Sequence, residues 1–347
     1  MKRFLYSVLV LLLCTSCESL LDLEPKNGVT FEHYFATEQD LEALVTQMHG
    51  NLRTALAMVT KQELIGLRVD VVKQGSEMNK IRGLNTDYFL NHSTQQQWRA
   101  YYNTLAIVDL FFDNYKKAKD VAPERVRFYC GQGEFVKAMC YFYLVRMWGD
   151  AVITRNSTSM EVYNKSSMLD VLDEAIKNAS EGYELLPKYE DMPLLGANTW
   201  VSKQYGCKGS CAALLAHLYA WKGSMIDLCG LEGDAKKCYE ESIEWSTLLI
   251  EKKAGFYELE RTSEEVCTKA MKGIGASQEN ILEFELDRFQ TYPMAYFPGR
   301  VWITWPVKGT ETPGSVVTKD FVIKAETVKN LYEDTDDRRD EYFFKLD

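Results

Sequence analysis

Leu41, Leu44, Val45, Met48, Leu52 and Leu56 recur at intervals of three and four residues. That spacing puts all six on one face of a 3.6-residue helix. The same pattern returns in Trp98, Tyr101, Leu105, Val108 and Phe112, and again in Phe135, Ala138, Met139, Phe142 and Val145. A chain built from such one-sided helices must stack them against one another. The first helix reads as 37–60, with Thr37 as its cap and Asp40 three residues on as a capping-box acid. Further helices are expected over 94–119, from Pro123 to a stop at Gly149, over 167–186 before Pro187, over 205–222 before Gly223, over 234–252 and over 318–332. Gly131 and Gly133 weaken the beginning of the third helix by about 1 kcal/mol each relative to Ala. "ENILEFELD", Glu279 to Asp287, alternates apolar and acidic residues and suits a short strand. Residues 66–92, with Gly66, Gly75 and Gly83, read as a long surface loop, and 150–166 as irregular chain.

Ala175, Ala179, Gly182 and Pro187 have the offsets of the second helix of a tetratricopeptide repeat, and Ala216 and Tyr219 suit the first helix of another. The connections 150–166 and 223–233 are longer than a strict repeat allows, so these are decorated repeats. Such pairs cannot bury their faces alone and must stack. The expected fold is mostly α: tetratricopeptide-like helix pairs in an α-helical superhelix, with a loop-rich half and a few short strands. The helices are then the frame, and the long loops are where function sits.

The formal charge of the 347 residues is −10, and no basic block exceeds three residues. Phosphate recognition needs clustered Lys and Arg, so nucleic acid is excluded as a partner. His33, His49, His92 and His217 show no metal spacing, and neither metal nor cofactor is expected. His217, within an apolar helix, reads as a hydrogen-bonded core residue. "GIGAS" at 273–277 lacks the Lys-Ser/Thr of a phosphate loop, and there is no GxSxG elbow. Glu283 and Glu285 share one face of the expected strand and are the only carboxylates with the geometry for glycoside cleavage; acids on the outer face of an edge strand are the far commoner case, and cleavage is set aside. In the cluster Asp334, Asp336, Asp337 and Asp340, Arg338 and Arg339 supply the balancing charge, which favours internal pairing over calcium.

The N-terminus points to a location. Lys2 and Arg3 precede an apolar run from Phe4 to Leu13, broken only by Ser7. It is shorter than the roughly 20 residues a spanning helix needs and reads as a secretory signal. Thr15 and Ser16 lead directly to Cys17, an order that resembles a bacterial lipobox, although Cys14 stands where most have Leu. The resemblance implies cleavage before Cys17 and acylation of that residue. Acyl chains at about 0.8 kcal/mol per buried methylene would anchor the protein to a membrane. With residues 1–16 removed the mature charge is near −12. Of nine cysteines, seven remain at 130, 140, 207, 211, 229, 238 and 267, an odd number without a CxxC pair. They read as small buried hydrophobes, Cys207 and Cys211 four apart on a helical pattern.

"CESLLDLEP", "TFEHYFATEQDLEALVTQMHGNL", "GEFVKAMCYFYLVRMWGDAVI", "KGSCAALLAHLYAWKG" and "DTDDRRDEYF" follow one another from residue 17 to 344. Their order and spacing resemble the SusD/RagB family of outer-membrane lipoproteins of Bacteroidota. His49 departs from that family's usual Tyr, and "IVDLFFDN" from its Ile-…-Ala-Asn pattern. Family members continue well beyond the Asp-Arg-Arg block, so the chain is expected to be short of a C-terminal repeat. The resemblance implies a tether and arm over 17–36 and one domain over 37–347, helical in 37–278 and loop-rich toward the ligand in 279–347.

It also implies a lipid-anchored, non-catalytic binding protein at the outer membrane. Such a protein captures oligosaccharides or peptides and passes them to a TonB-dependent transporter. The alternative is a helical-repeat scaffold for protein partners at the cell surface. A sugar ring offers an apolar C–H face to aromatics and a hydroxyl rim to polar side chains. "DRFQTYPMAYFPGRVWITWP" is the richest stretch of that kind, and Tyr292, Tyr296, Trp302 and Trp305 are its candidate ligand contacts. In extended chain Trp302 and Trp305 point to opposite faces, so at most one of the two faces a ligand. Asp70 and Tyr88 are the candidates in the 66–92 loop.

Overall fold

The computed structural model describes residues 34–63, 98–159, 161–195, 201–270, 277–284, 329–336 and 338–339, with the backbone alone at 57–63. Six long helices carry the described residues: α1 (Glu38–Glu63), α2 (Arg99–Asn114), α3 (Pro123–Trp148), α4 (Met168–Leu185), α5 (Lys208–Cys229) and α6 (Ala235–Ile250). Each packs on the next in chain order, most extensively α3 on α4 and α5 on α6, and α1 also reaches α3. Contact with both the next and the next-but-one helix is what stacked pairs in a superhelix produce. The mostly helical, tetratricopeptide-like arrangement expected from the periodicity is the fold observed.

The helix ends follow local chemistry. Asp40 N–H donates to Thr37 Oγ1 at 3.2 Å, and Thr37 N–H donates to Asp40 Oδ2 at 2.9 Å, closing the capping box of α1. Pro123 opens α3, where its missing N–H costs nothing. Gly149 closes α3 at φ +73°, a conformation only glycine takes without strain. Ser167 caps α4, and Asp234 caps α6 by accepting from Lys237 N–H at 3.0 Å.

The core runs along the stack. Leu41, Met48 and Leu52 of α1 are buried with Leu105 and Phe111 of α2, Phe135, Tyr141 and Leu144 of α3, and Leu215 of α5. Burying one such side chain stabilises by about 1.5–3 kcal/mol. Ala175 and Ala179 are buried on the small face of α4, and Gly182 lets α3 and α5 approach. A Cβ there would lie 3.1 Å from Cys211 Sγ and 3.5 Å from Phe135 N. The irregular segment 150–166 is tied down by two tyrosines. Val152 N–H donates to Tyr102 Oη at 2.8 Å, and Thr154 N–H donates to Tyr141 Oη at 2.9 Å.

Four expectations need correcting. Gly223 does not end α5; the helix continues to Cys229 and stops at Gly230, φ +62°. At Gly223 a Cβ would come within 2.9 Å of the Tyr239 ring, so this glycine marks the α5–α6 crossing. The connection shrinks to a short turn, which makes this pair a tighter repeat than expected. Gly131 and Gly133 likewise lie inside α3 rather than at its beginning, against Leu186 and the ring of Phe112. Glu279 to Phe284 is irregular, not a strand, and Glu285 to Asp287 lie outside the described residues. His217 is exposed on α5 instead of buried in the core.

Candidate functional site

The described residues place a polar junction at 277–284, where the expected ligand-side part of the chain begins in sequence. Its base is the segment 201–207, which precedes α5 and has no regular hydrogen bonding of its own. Side chains satisfy its backbone instead. Gly206 N–H donates to Gln132 Oε1 at 2.8 Å, and Gln132 Nε2 donates to Gly206 O at 2.7 Å. His49 Nε2 meets the same Oε1 at 2.8 Å, so α1, α3 and this segment share one buried amide. Burial holds the His49 imidazole down to about 4, against the smaller opposing effect of the Gln132 bond. Cys207 then caps α5: Ser210 N–H donates to its Sγ at 3.4 Å, and Cys207 N–H donates to Ser210 Oγ at 2.7 Å.

Lys203 connects this base to residues 277–284. Its side chain is buried, and Nζ donates to Ser277 O and Asn280 O at 2.7 Å each. The ammonium also lies 5.1 Å from the centre of the Tyr189 ring. Glu283 N–H donates to Lys203 O at 3.1 Å, and Asn280 Nδ2 donates to Glu283 Oε1 at 3.0 Å. Burial lowers the pKa of the Lys203 ammonium, and the Glu283 charge opposes that. Around it Ser277 Oγ donates to Glu260 Oε1 at 2.6 Å, and Glu260 N–H donates to Glu279 Oε2 at 2.9 Å. No local sequence signal marked His49, Gln132 or Lys203 for these roles, because their partners lie 74 or more residues away.

Cys17, Asp70, Tyr88, Tyr292, Tyr296, Trp302 and Trp305 all lie outside the described residues. Glu283 is buried in the junction rather than on an outer strand face, and Glu285 lies outside the described residues. Arg338 Nε and NH2 donate to Asp336 at 2.9 and 2.6 Å, and Arg339 pairs with Asp334, as the charge balance predicted. Asp337 and Asp340 lie outside the described residues. Among the described residues no group of three His, Cys, Asp or Glu is placed to hold a metal, and no helix is long and apolar enough to cross a membrane. A cavity of about 380 Å³ lies between α4, α5 and α6, lined by Leu169, Tyr219 and Ile226 and by charges of both signs, including the paired Asp173 and Lys222.

With the frame established, comparison with known proteins decides the family. Residues 20–202, just over half of the chain, match the family model described as "Starch-binding associating with outer membrane", SusD-like. The chain belongs to the SusD-like family. SusD-like protein P25 of Formosa agariphila is 20% identical over 162 residues, covering 43% of this chain and 31% of that protein. SusD-like protein P2 of the same organism is 23% identical over 232 residues, covering 64% of this chain and 44% of that protein. The chain thus matches less than half the length of either curated relative. Among solved structures, a SusD superfamily protein from Bacteroides thetaiotaomicron superposes with a TM-score of 0.65 at 18% identity, over 86% of this chain and 63% of that one. At that identity the likeness speaks for the SusD-like helical fold.

Proposed function

We propose that this SusD-like chain is a lipid-anchored nutrient-binding protein that faces the exterior of an outer membrane. It captures oligosaccharides or peptides and passes them, uncleaved, to a TonB-dependent transporter. The observation that carries this reading is the match of residues 20–202 to an outer-membrane starch-binding family, laid over a helical frame of the same kind. Cys17 is the acylation site, residues 1–16 the signal, 17–36 the tether and 37–347 the binding domain. Within that domain Tyr292, Tyr296 and one of Trp302 and Trp305 stack on the ligand, and Asp70 and Tyr88 add contacts from a second loop. Aromatic rings supply large contact area at low rotamer cost, and sugars expose the matching C–H faces.

Calorimetry of the purified protein against oligosaccharides, starch-derived chains among them, and against peptides tests the reading. Binding of at least one, with the ligand recovered intact, supports it; release of reducing ends in the same mixture overturns its non-catalytic part. Incorporation of labelled fatty acid that is lost in Cys17→Ala tests the anchor.

A further inference from the structure

We propose that Lys203 is a positioning residue that ties 277–283, the segment leading in sequence into the aromatic stretch 287–306, to the helical frame. The proposal rests on the reading of that stretch as the ligand contact. Its ground is geometric. Lys203 spends two of its three N–H donors on the carbonyls of Ser277 and Asn280, and its own carbonyl accepts from Glu283 N–H at 3.1 Å. One residue therefore holds 277–283 at three backbone points, and the aromatic stretch begins only a few residues farther on. A lysine is an unusual choice for so enclosed a place. Its side chain is 2% exposed, and charged groups are seldom buried unless they are paired or hydrogen-bonded. An apolar side chain of similar length would fill the same space and hold nothing.

The base under Lys203 is itself fixed. Three residues on, Gly206 is bonded through both its backbone groups to Gln132 of α3. The helical stack, this segment and the 277–283 segment therefore form one chain of directed bonds, and Lys203 is its link to 277–283. A link of this type acts on ligand affinity through geometry, without touching the ligand.

Full-length Lys203→Met and Lys203→Arg, compared with the unchanged protein, test this by hydrogen exchange and by titration with maltoheptaose. In Lys203→Met, exchange is expected to rise about tenfold or more over 277–284 while α1–α4 keep their protection. Lys203→Arg, which keeps the donors, restores most of that protection. If the unchanged protein binds maltoheptaose, Lys203→Met weakens binding about tenfold or more, and Lys203→Arg recovers part of it. Exchange that rises equally in α1–α4, or does not rise over 277–284, overturns the proposal. So does undiminished maltoheptaose binding by Lys203→Met. If the unchanged protein ignores maltoheptaose but the local exchange shift and its rescue by arginine appear, the positioning role stands, and only the starch-type ligand is set aside.

Discussion

His49 Nε2 of α1 lies 2.8 Å from Gln132 Oε1 of α3, with both side chains fully enclosed. The folded protein holds this imidazole neutral to about pH 4, whereas an unfolded histidine titrates near 6.5. The histidine's contribution is therefore complete above about pH 6.5 and is lost as the pH falls toward 4, because only the unfolded chain takes up the proton in that window. The slope is about 1.4 kcal/mol per pH unit. Urea titrations at pH 7 and pH 5 should show a larger loss for the unchanged protein than for His49→Gln, which keeps a neutral donor to Gln132. Equal losses would mean the histidine is solvated.

Lys137 Nζ sits 3.0 Å from Asp109 Oδ1, and the carboxylate is 3% exposed. This pair bridges α2 and α3. Removing one partner strands the other charge in the core, so Lys137→Met should cost about 3–5 kcal/mol. The double variant Lys137→Met/Asp109→Leu should recover much of that loss, because no unpaired charge remains. Chemical denaturation of the three variants measures both, and an additive double variant would contradict the pairing.

The glycines separate by the stiffness of what they touch. A Cβ on Gly131 would lie 2.7 Å from Leu186 Cγ, in a fully packed place. Gly131→Ala should therefore destabilise by about 1–3 kcal/mol despite alanine's better helix propensity. At Gly223 the nearest obstacle is the Tyr239 ring, which is partly exposed and can swing outward, although Cys238 Cβ would also lie 3.1 Å away. Gly223→Ala should therefore destabilise by less than Gly131→Ala, about 1 kcal/mol. Thermal unfolding of the two variants decides, and the reverse order would overturn the packing argument.

The thiols sort by exposure. Cys140, Cys207, Cys211 and Cys238 are buried and Cys130 is half-buried, while Cys229 and Cys267 are exposed, and none of the seven is paired. Burial also pushes the Cys130 thiol up to about 11, with Glu134 adding to the effect. Brief iodoacetamide treatment of the native protein should label Cys229 and Cys267 first, with the other five reacting only after denaturation. Peptide mass mapping reads this directly.

The periodic apolar faces made the frame legible, since Leu41 to Leu56 and Phe135 to Val145 carry their helical spacing in plain sequence. The cap at Thr37 was legible for the same reason: its chemistry is local. The failures were not local. Gly223 has the look of a helix stop, and only the approach of Tyr239 from α6 shows why a glycine is there. Glu283 alternates as a strand residue would, yet its backbone pairs with Lys203, 80 residues earlier in the chain. The composition of 287–306 suggests stacking on a ligand, and that stretch lies outside the described residues. The junction at Lys203 was not legible, because a single lysine between Ser202 and Gln204 carries no pattern.

The central claim is that a helical frame presents a non-catalytic aromatic surface to a nutrient. Calorimetric titration of the purified protein, alongside Trp302→Ala and Trp305→Ala, tests it most directly. The account predicts that at least one oligosaccharide or peptide binds and is recovered intact, and that one of the two substitutions weakens binding far more than the other. No binding across both ligand classes, or binding untouched by either substitution, would contradict it.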